Sequence, residues 1–515
     1  LFGVAMNQSR PDGCISELVI VGGGTAGWMT AAALSKILNQ SIAITLVESD
    51  EIGTVGVGEA TIPMIQLFNQ VVGIDENEFM RETQASFKLG IEFVNWGRLG
   101  DRYIHAFGNF GQEAWTVDFY QYWLRLWLEQ KAFDLEAYSI NRMACKAGRC
   151  MRADPQRPNS PLGQIVHAFH FDAGLYAKYL RKLAESRGVK RIEGMIDAVE
   201  QEPHQGHIKS VKLGSGQVIA GDFFIDCTGF RGLLIEQSLK TGYEDWSEWL
   251  PANRAIAVPC ERSSDFTPYT RATAQRVGWQ WRIPLQHRTG NGIVYSSNFL
   301  SDDEARSLLL SNLDGRPTAE PRPLRFVTGK RKKLWHRNVL AIGLSSGFLE
   351  PLESTSIHLI QSTIAKFISF FPDRHLDPAD IEAFNRQMDF EFSTIRDFII
   401  LHYKLNQRED SAFWKHCATM PIPERLQEKI NLYQSHGRII RESNELFSEL
   451  AWLQVMHGQG LKARRAHPLA SIYSEKEVSE FLEHIRQTIA NCVDLMPTHA
   501  DYINQHCKSK IQVTA

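Results

Sequence analysis

Val19-Ile20-Val21-Gly22-Gly23-Gly24-Thr25-Ala26-Gly27-Trp28 decides the fold of this 515-residue chain. A short apolar run enters Gly22-x-Gly24-x-x-Gly27, and the Ala- and Leu-rich stretch Met29 to Leu38 leaves it. The order reads strand, tight glycine turn, helix. Gly22 permits the turn, Gly24 lets the backbone come close to a pyrophosphate, and Gly27 lets helix and strand pack closely. Free N–H groups at the helix start, around Thr25 and Ala26, face the phosphates. Ser41 to Glu48 reads as a second strand ending in an acid. Glu48 lies about twenty residues beyond the last glycine, where a ribose hydroxyl is held. The pattern predicts a dinucleotide site. A plain strand-to-helix turn is the alternative reading of the glycines alone.

Composition narrows the class. The 56 Lys and Arg against 59 Asp and Glu leave a net charge of −3, which gives no case for a nucleic-acid partner or an anionic membrane. The eight cysteines include no C-x-x-C pair, so no metal site is expected and a reducing, cytoplasmic compartment fits. No apolar run reaches the roughly 18 residues of a membrane helix. No signal-peptide pattern opens the sequence, and Met6 reads as the native start.

Further along, Thr54 to Pro63 holds two glycines and Glu59-Ala60, and reads as a loop lying against the cofactor. Residues 64 to 90 read as helical. On periodicity alone Lys88, between Phe87 and Leu89, reads as a surface side chain lying along apolar neighbours. Residues 102 to 150 are rich in aromatics, which suits a pocket for a flat substrate as well as a core. Asp172 reads as a helix N-cap and His170 as a hydrogen-bonded core histidine. Arg191 to Val199, His207 to Leu213 and Gln217 to Ile219 read as an antiparallel meander. It leads into a strand that ends in Asp226-Cys227-Thr228-Gly229, an ending that favours FAD over NAD at the glycine loop. Trp279 and Trp281 share one face of a further strand. Val339 to Gly343 is another buried strand, followed by a loop and a helix predicted to start near Ser354. Amphipathic segments near 381–405, 424–456 and 474–495 predict a mostly helical C-terminal part.

Six motifs in order carry a resemblance. They are the glycine loop, Gly56-Val57-Gly58-Glu59-Ala60-Thr61-Ile62-Pro63, Phe87-Lys88, Phe93-Val94-Asn95-Trp96, Trp279-x-Trp281-x-Ile283-Pro284 and Pro351-Leu352-Glu353-Ser354-Thr355. Together, from about residue 16 to 400, they resemble the flavin-dependent tryptophan halogenases. The resemblance implies an α/β (α+β) fold. An FAD-binding Rossmann-like βαβ module with a meander and a large second sheet would form a box, capped by a helical pyramid. The expected division is 16–100 with 160–365 for the box, 101–159 for an aromatic-rich insertion lining the substrate pocket, and 366–510 for the helical subdomain.

The resemblance also implies the chemistry. Reduced FAD and O2 would convert chloride or bromide to hypohalous acid, which crosses to Lys88 for attack on an indole-type ring. Lys88 would hold the acid by a hydrogen bond or carry the halogen as a haloamine. Glu353 would orient that electrophile, stabilise the cationic ring or take its proton. Thr355 and Ser356 fall at the halide position, where the family usually has glycine in place of Ser356. Leu344 and Ile357 would touch the flavin, and Trp279 and Trp281 would shield it. His105 and Phe107 resemble the residues lining the indole pocket, and Trp452 could stack on a ring. The region from Asn444 to Trp452 lacks the paired tyrosines that grip the amino-acid portion of tryptophan. Free indole or a larger indole compound therefore stands beside tryptophan as substrate. A separate reductase would supply FADH2, and a homodimer is one compatible assembly. The competing readings are a single-component flavin monooxygenase that hydroxylates an aromatic, and a non-catalytic flavin-binding protein.

Overall fold

The computed structural model describes residues 13–52, 58–112 and 115–510. The glycine turn sits where the sequence puts it. The strand Glu17–Val21 lies at the centre of a six-stranded sheet, flanked in parallel by Ala43–Glu48 and Phe223–Asp226. Val339–Ala341 and Lys190–Glu193 extend the sheet in parallel on either side, and Trp335–His336 closes one edge antiparallel. The turn therefore opens at the C-terminal ends of parallel strands, where α/β sheets bind ligands.

Two of the three turn glycines are forced by the protein itself. A Cβ on Gly22 would stand 2.3 Å from the Cys227 carbonyl oxygen, and Gly22 also has φ +109. A Cβ on Gly27 would stand 1.9 Å from the Gly22 carbonyl oxygen. Gly24 is different, because a Cβ there meets nothing within 4 Å. No protein contact requires glycine at position 24, which leaves the approach of a bound group as its reason.

The second sheet has seven strands, in the order Arg322–Arg325, Arg254–Glu261, Arg288–Tyr295, Trp279–Pro284, Thr270–Ala274, Gly90–Val94 and Arg102–Ala106. A three-stranded sheet joins the cofactor side to it. In that sheet Ala168–Asp172 is the middle strand, paired on one side with Gly58–Ala60 and on the other with Ser86–Lys88. The meander of Ile196–Gln201, Ile208–Leu213 and Val218–Ala220 is antiparallel as read. The C-terminal part is helical, led by the 27-residue helix Pro378–Lys404. One hydrophobic core runs through the sheets and these helices, from Leu18 through Phe93 to Trp452 and Ile489.

Four boundaries differ from the sequence reading. Residues 64–90 are two short helices and a strand, because Gly73 ends Met64–Val72 in a left-handed turn and Asp75 caps a new helix, Glu76–Glu82. Ser86–Lys88 then pairs as a strand, and Lys88 is fully buried rather than lying on the surface. Gly194 divides the first meander stretch, so that Lys190–Glu193 joins the parallel sheet. Segment 424–456 breaks at Gly437, in left-handed conformation, and restarts at Ser448, whose side chain caps Glu449–Gly458. The helix expected near Ser354 begins at Ser356. Residues 54–57 of the second glycine loop lie outside the described residues. Two local readings hold. Asp172 accepts from the Leu175 N–H as a cap, and buried His170 is bonded by Ser86 and Thr270.

Gly27→Ala is expected to destabilise the protein by about 1–3 kcal/mol, the usual cost of overpacking against backbone. Gly24→Ala should leave the stability of the flavin-free protein unchanged while weakening flavin binding. Thermal melts and flavin titrations of both variants check the pair; a flavin affinity untouched by Gly24→Ala would contradict it.

Candidate active site

The short sheet brings Lys88 to the loop after Val339–Ala341. Lys88 is the last residue of its strand and faces Ala168 in register. Its Nζ donates to the Thr61 carbonyl at 2.9 Å and to Ser354 Oγ at 2.8 Å, and it lies 5.3 Å from the centre of the Phe107 ring. Thr61 continues the strand Gly58–Ala60 on the far side of the same sheet, and its own N–H and hydroxyl are fixed on Phe169 O. Burial pushes the Lys88 amine down from the usual 10.5 to about 7, against an opposing pull from Glu353. Close to neutrality the amine is thus both a free base and a donor.

Ser354 has φ +59, a left-handed conformation that costs a non-glycine residue about 1–2 kcal/mol. It follows the single turn Pro351–Glu353 and precedes Thr355, which opens the helix Ser356–Ser369. The tight reversal at Ser354 turns its hydroxyl to Lys88 while Glu353 points to other partners. The Glu353 oxygens lie 3.0 Å from His105 Nδ1, and Oε1 lies 2.8 Å from His402 Nε2. Burial alone would raise this carboxyl, but the two histidines outweigh it and hold it down at about 2. The two imidazoles thus favour the ionised form of Glu353. His105 comes from the edge strand of the seven-stranded sheet and His402 from the end of the long helix Pro378–Lys404. Nothing in the local sequence around Glu353 points to His402, which the sequence reading did not find.

Thr355 and Ser356 sit at that helix start. Thr355 is fully buried, its Oγ1 has no hydrogen-bond partner, and Ser356 is half-buried. Unpaired N–H groups of a first helical turn and an unsatisfied hydroxyl suit a small anion. Ile357 is buried in the same turn, and Leu344 lies half-buried in the turn Gly343–Ser345. That turn touches the glycine loop, since a Cβ on Gly343 would stand 2.7 Å from the Ala26 Cβ.

Thr25 and Ala26 form the first turn of the helix Thr25–Leu38, whose start has no side-chain cap and no acidic residue. The open approach at Gly24 and these uncapped N–H groups fit a pyrophosphate. Glu48 ends its strand beside Gly23, pairs with Arg191 and accepts from Trp28 Nε1 at 3.3 Å. Glu59 and Ala60 lie on the strand leading to Thr61, and desolvation raises the Glu59 carboxyl to about 7. Trp279 and Trp281 share a face of their strand, with ring centres 6.1 Å apart. Trp279 is buried, and its N–H goes to Glu350.

On the aromatic side, the His105 ring lies against Phe398 and Phe447, which stack on each other with centres 3.8 Å apart. Trp452 is buried behind them, edge-on to Phe398, with Lys429 over its ring. Lys429 is itself paired with Glu445.

A protein-family model described as tryptophan halogenase matches residues 17–475. The chain is 33% identical to tryptophan 7-halogenase RebH of Lentzea aerocolonigenes, across 96% of this chain and 99% of that one. Among solved structures it is similar to Xcc4156, a flavin-dependent halogenase from Xanthomonas campestris. The TM-score there is 0.94 at 47% identity, over 97% of this chain and 100% of that one. It is also similar to BrvH, a flavin-dependent halogenase from Brevundimonas sp. BAL3. Here the TM-score is 0.92 at 43% identity, over 95% of this chain and 99% of that one.

Replacing Lys88 tests its electrostatic setting separately from catalysis. Its folded pKa of about 7 lies below the usual 10.5. Between these values the unfolded chain holds a proton that the folded chain does not, so wild-type stability rises with pH across that window. Lys88→Met lacks this contribution. The stability of wild type relative to the variant should therefore grow from about pH 7 to about pH 9.5 in denaturant titrations. A difference that is flat with pH would contradict a buried, neutralised amine.

Proposed function

The chain belongs to the tryptophan halogenase family, and from that premise we propose that it uses FADH2, O2 and chloride or bromide to halogenate an indole-type aromatic through Lys88 and Glu353. It is an enzyme of the flavin-dependent halogenase class. The observation that carries the proposal is the buried Lys88 amine, hydrogen-bonded to Ser354 on the loop that bears Glu353 and facing Phe107.

Reduced flavin, when bound, would supply two electrons to O2; two more come from the halide, so that O2 ends as water and hypohalous acid. Gly22, Gly24, Gly27 and the helix start at Thr25 and Ala26 would hold its pyrophosphate, with Glu48, Glu59, Ala60, Leu344 and Ile357 around the rest. The helix start at Thr355 and Ser356 would hold the halide. Lys88 as free base takes halogen from hypohalous acid, forming an N–halogen bond and releasing water; as ammonium it donates a hydrogen bond to the same molecule. Both states are available near pH 7.

Glu353 is held anionic at about 2, which makes it a weak base. The role this favours is electrostatic, stabilising the ring cation and orienting the electrophile. As the carbon–halogen bond forms, the N–halogen bond breaks and the ring proton ends on the Lys88 nitrogen, restoring the amine; where hypohalous acid itself is the donor, its O–halogen bond breaks and the proton leaves with the hydroxide as water.

The pocket side favours an indole without a polar tether. The walls beside His105 are the rings of Phe398 and Phe447. No tyrosine stands in 444–452 to grip an ammonium and a carboxylate. An unpaired polar group costs about 1–3 kcal/mol, roughly tenfold in kcat/KM. A flavin reductase is the proposed partner protein. Among the described residues no helix is long and apolar enough to cross a membrane.

Reductase-coupled turnover of indole and tryptophan, with bromide and chloride separately, tests this reading by mass spectrometry. Free indole should be halogenated at least as well as tryptophan, at the electron-rich pyrrole carbon. Lys88→Ala should abolish product while flavin still binds, and Glu353→Gln should cut turnover about a hundredfold or more. Hydroxylated product, NADH oxidation without a reductase, or appreciable halogenation by Lys88→Ala would overturn the reading.

A further inference from the structure

The geometry points to Glu350 as a positioning residue that ties Trp279 to the loop carrying Glu353, so that hypohalous acid reaches Lys88 instead of leaking into solvent. This rests on the halogenase reading above. Glu350 is fully buried and immediately precedes the turn Pro351–Glu353. Its Oε2 accepts from Trp279 Nε1 and from the Tyr403 hydroxyl, both at 2.6 Å. Its Oε1 has no hydrogen-bond partner.

Tyr403 directly follows His402. Two consecutive residues at the end of one helix thus hold two carboxylates three positions apart on one loop, His402 at Glu353 and Tyr403 at Glu350. The third tie, Trp279, belongs to the strand proposed to flank the flavin. One carboxylate therefore joins the flavin-side strand, the Glu353 loop and the helix that clamps Glu353.

Packing does not explain the residue type. Rings surround the site, with Trp96 centred 6.3 Å from Trp279 and 5.4 Å from Tyr403, and Trp414 stacked on Tyr403 at 5.8 Å. The Trp96 and Trp414 N–H groups are committed to Ala272 O and Gln275 O, so they give Glu350 nothing. Desolvation pushes its carboxyl up to about 7. A leucine or methionine would cost less to bury in such a cage. What only an acceptor supplies is a fixed Trp279 ring and a fixed helix end. With the acceptor gone, both can shift relative to Glu353 and Lys88, and a 1 Å displacement is enough to lose transfer.

The test is a single turnover of enzyme preloaded with reduced FAD and mixed with O2, bromide and indole. Bromoindole is measured against hydrogen peroxide and against hypobromite trapped by a dimedone reporter. In Glu350→Leu the fraction of oxidant reaching indole should fall at least fivefold, with a matching rise in released oxidant and with flavin affinity retained. Glu350→Gln keeps an acceptor oxygen and should restore most of that fraction. A purely structural role would lower product and released oxidant together. That result, or a wild-type fraction in Glu350→Leu, overturns the proposal. If Glu350→Leu does not fold, Tyr403→Phe removes one donor alone and should shift the partition the same way, about twofold or more; an unchanged partition there overturns it as well. Wild-type enzyme that brominates no indole would fail the halogenase reading itself, which separates the two outcomes.

Discussion

A buried amine has to be matched by the loop opposite it, and the rest of the site follows from that constraint. Lys88 has lost its water and gained Thr61 O and Ser354 Oγ as hydrogen-bond acceptors, with the Phe107 ring 5.3 Å away. Both acceptors are neutral, so the amine is bonded without being paid for in charge, and its pKa falls toward neutrality. Glu353 is treated in the opposite way. It is equally buried, yet two histidines keep it ionised. Adjacent residues of one reversal, Glu353 and Ser354, thus face an imidazole pair and an amine respectively. The left-handed backbone at Ser354 makes that division possible.

The fold supplies these partners from distant parts of the chain. Thr61 and Lys88 flank the central strand Ala168–Asp172, His105 comes from the large sheet and His402 from the helical region. The larger of the two hydrophobic clusters among the described residues runs through sheets and helices and fixes their separation. This is a preorganised arrangement, in which charge and hydrogen bonds are set before any substrate arrives. The solved flavin-dependent halogenases share the frame, and the rings of Phe398 and Phe447 lie beside His105 within it.

The glycine turn, the parallel strands around it, the meander and the cap at Asp172 were legible because each is written in local pattern. Only the resemblance drew attention to Lys88 and Glu353; the burial of Lys88 beside the Glu353 loop was not legible, since a lysine between apolar neighbours reads on periodicity as a surface residue. Helix ends at Gly73 and Gly437 were missed because apolar periodicity continues across them, and the left-handed glycine overrules it. His402, Thr61, Glu350 and Tyr403 were not legible at all. Each acts through a contact made across the fold, and no spacing in the sequence announces such a contact.

The central claim is that burial, set against neutral acceptors, keeps the Lys88 amine near half-protonation at neutral pH while Glu353 stays charged. The most direct measurement is the titration of Lys88 by NMR on protein carrying 13C-labelled lysine, with the signal assigned by its loss in Lys88→Met. The account predicts a midpoint near 7. A midpoint above about 9, close to an ordinary lysine, would contradict it.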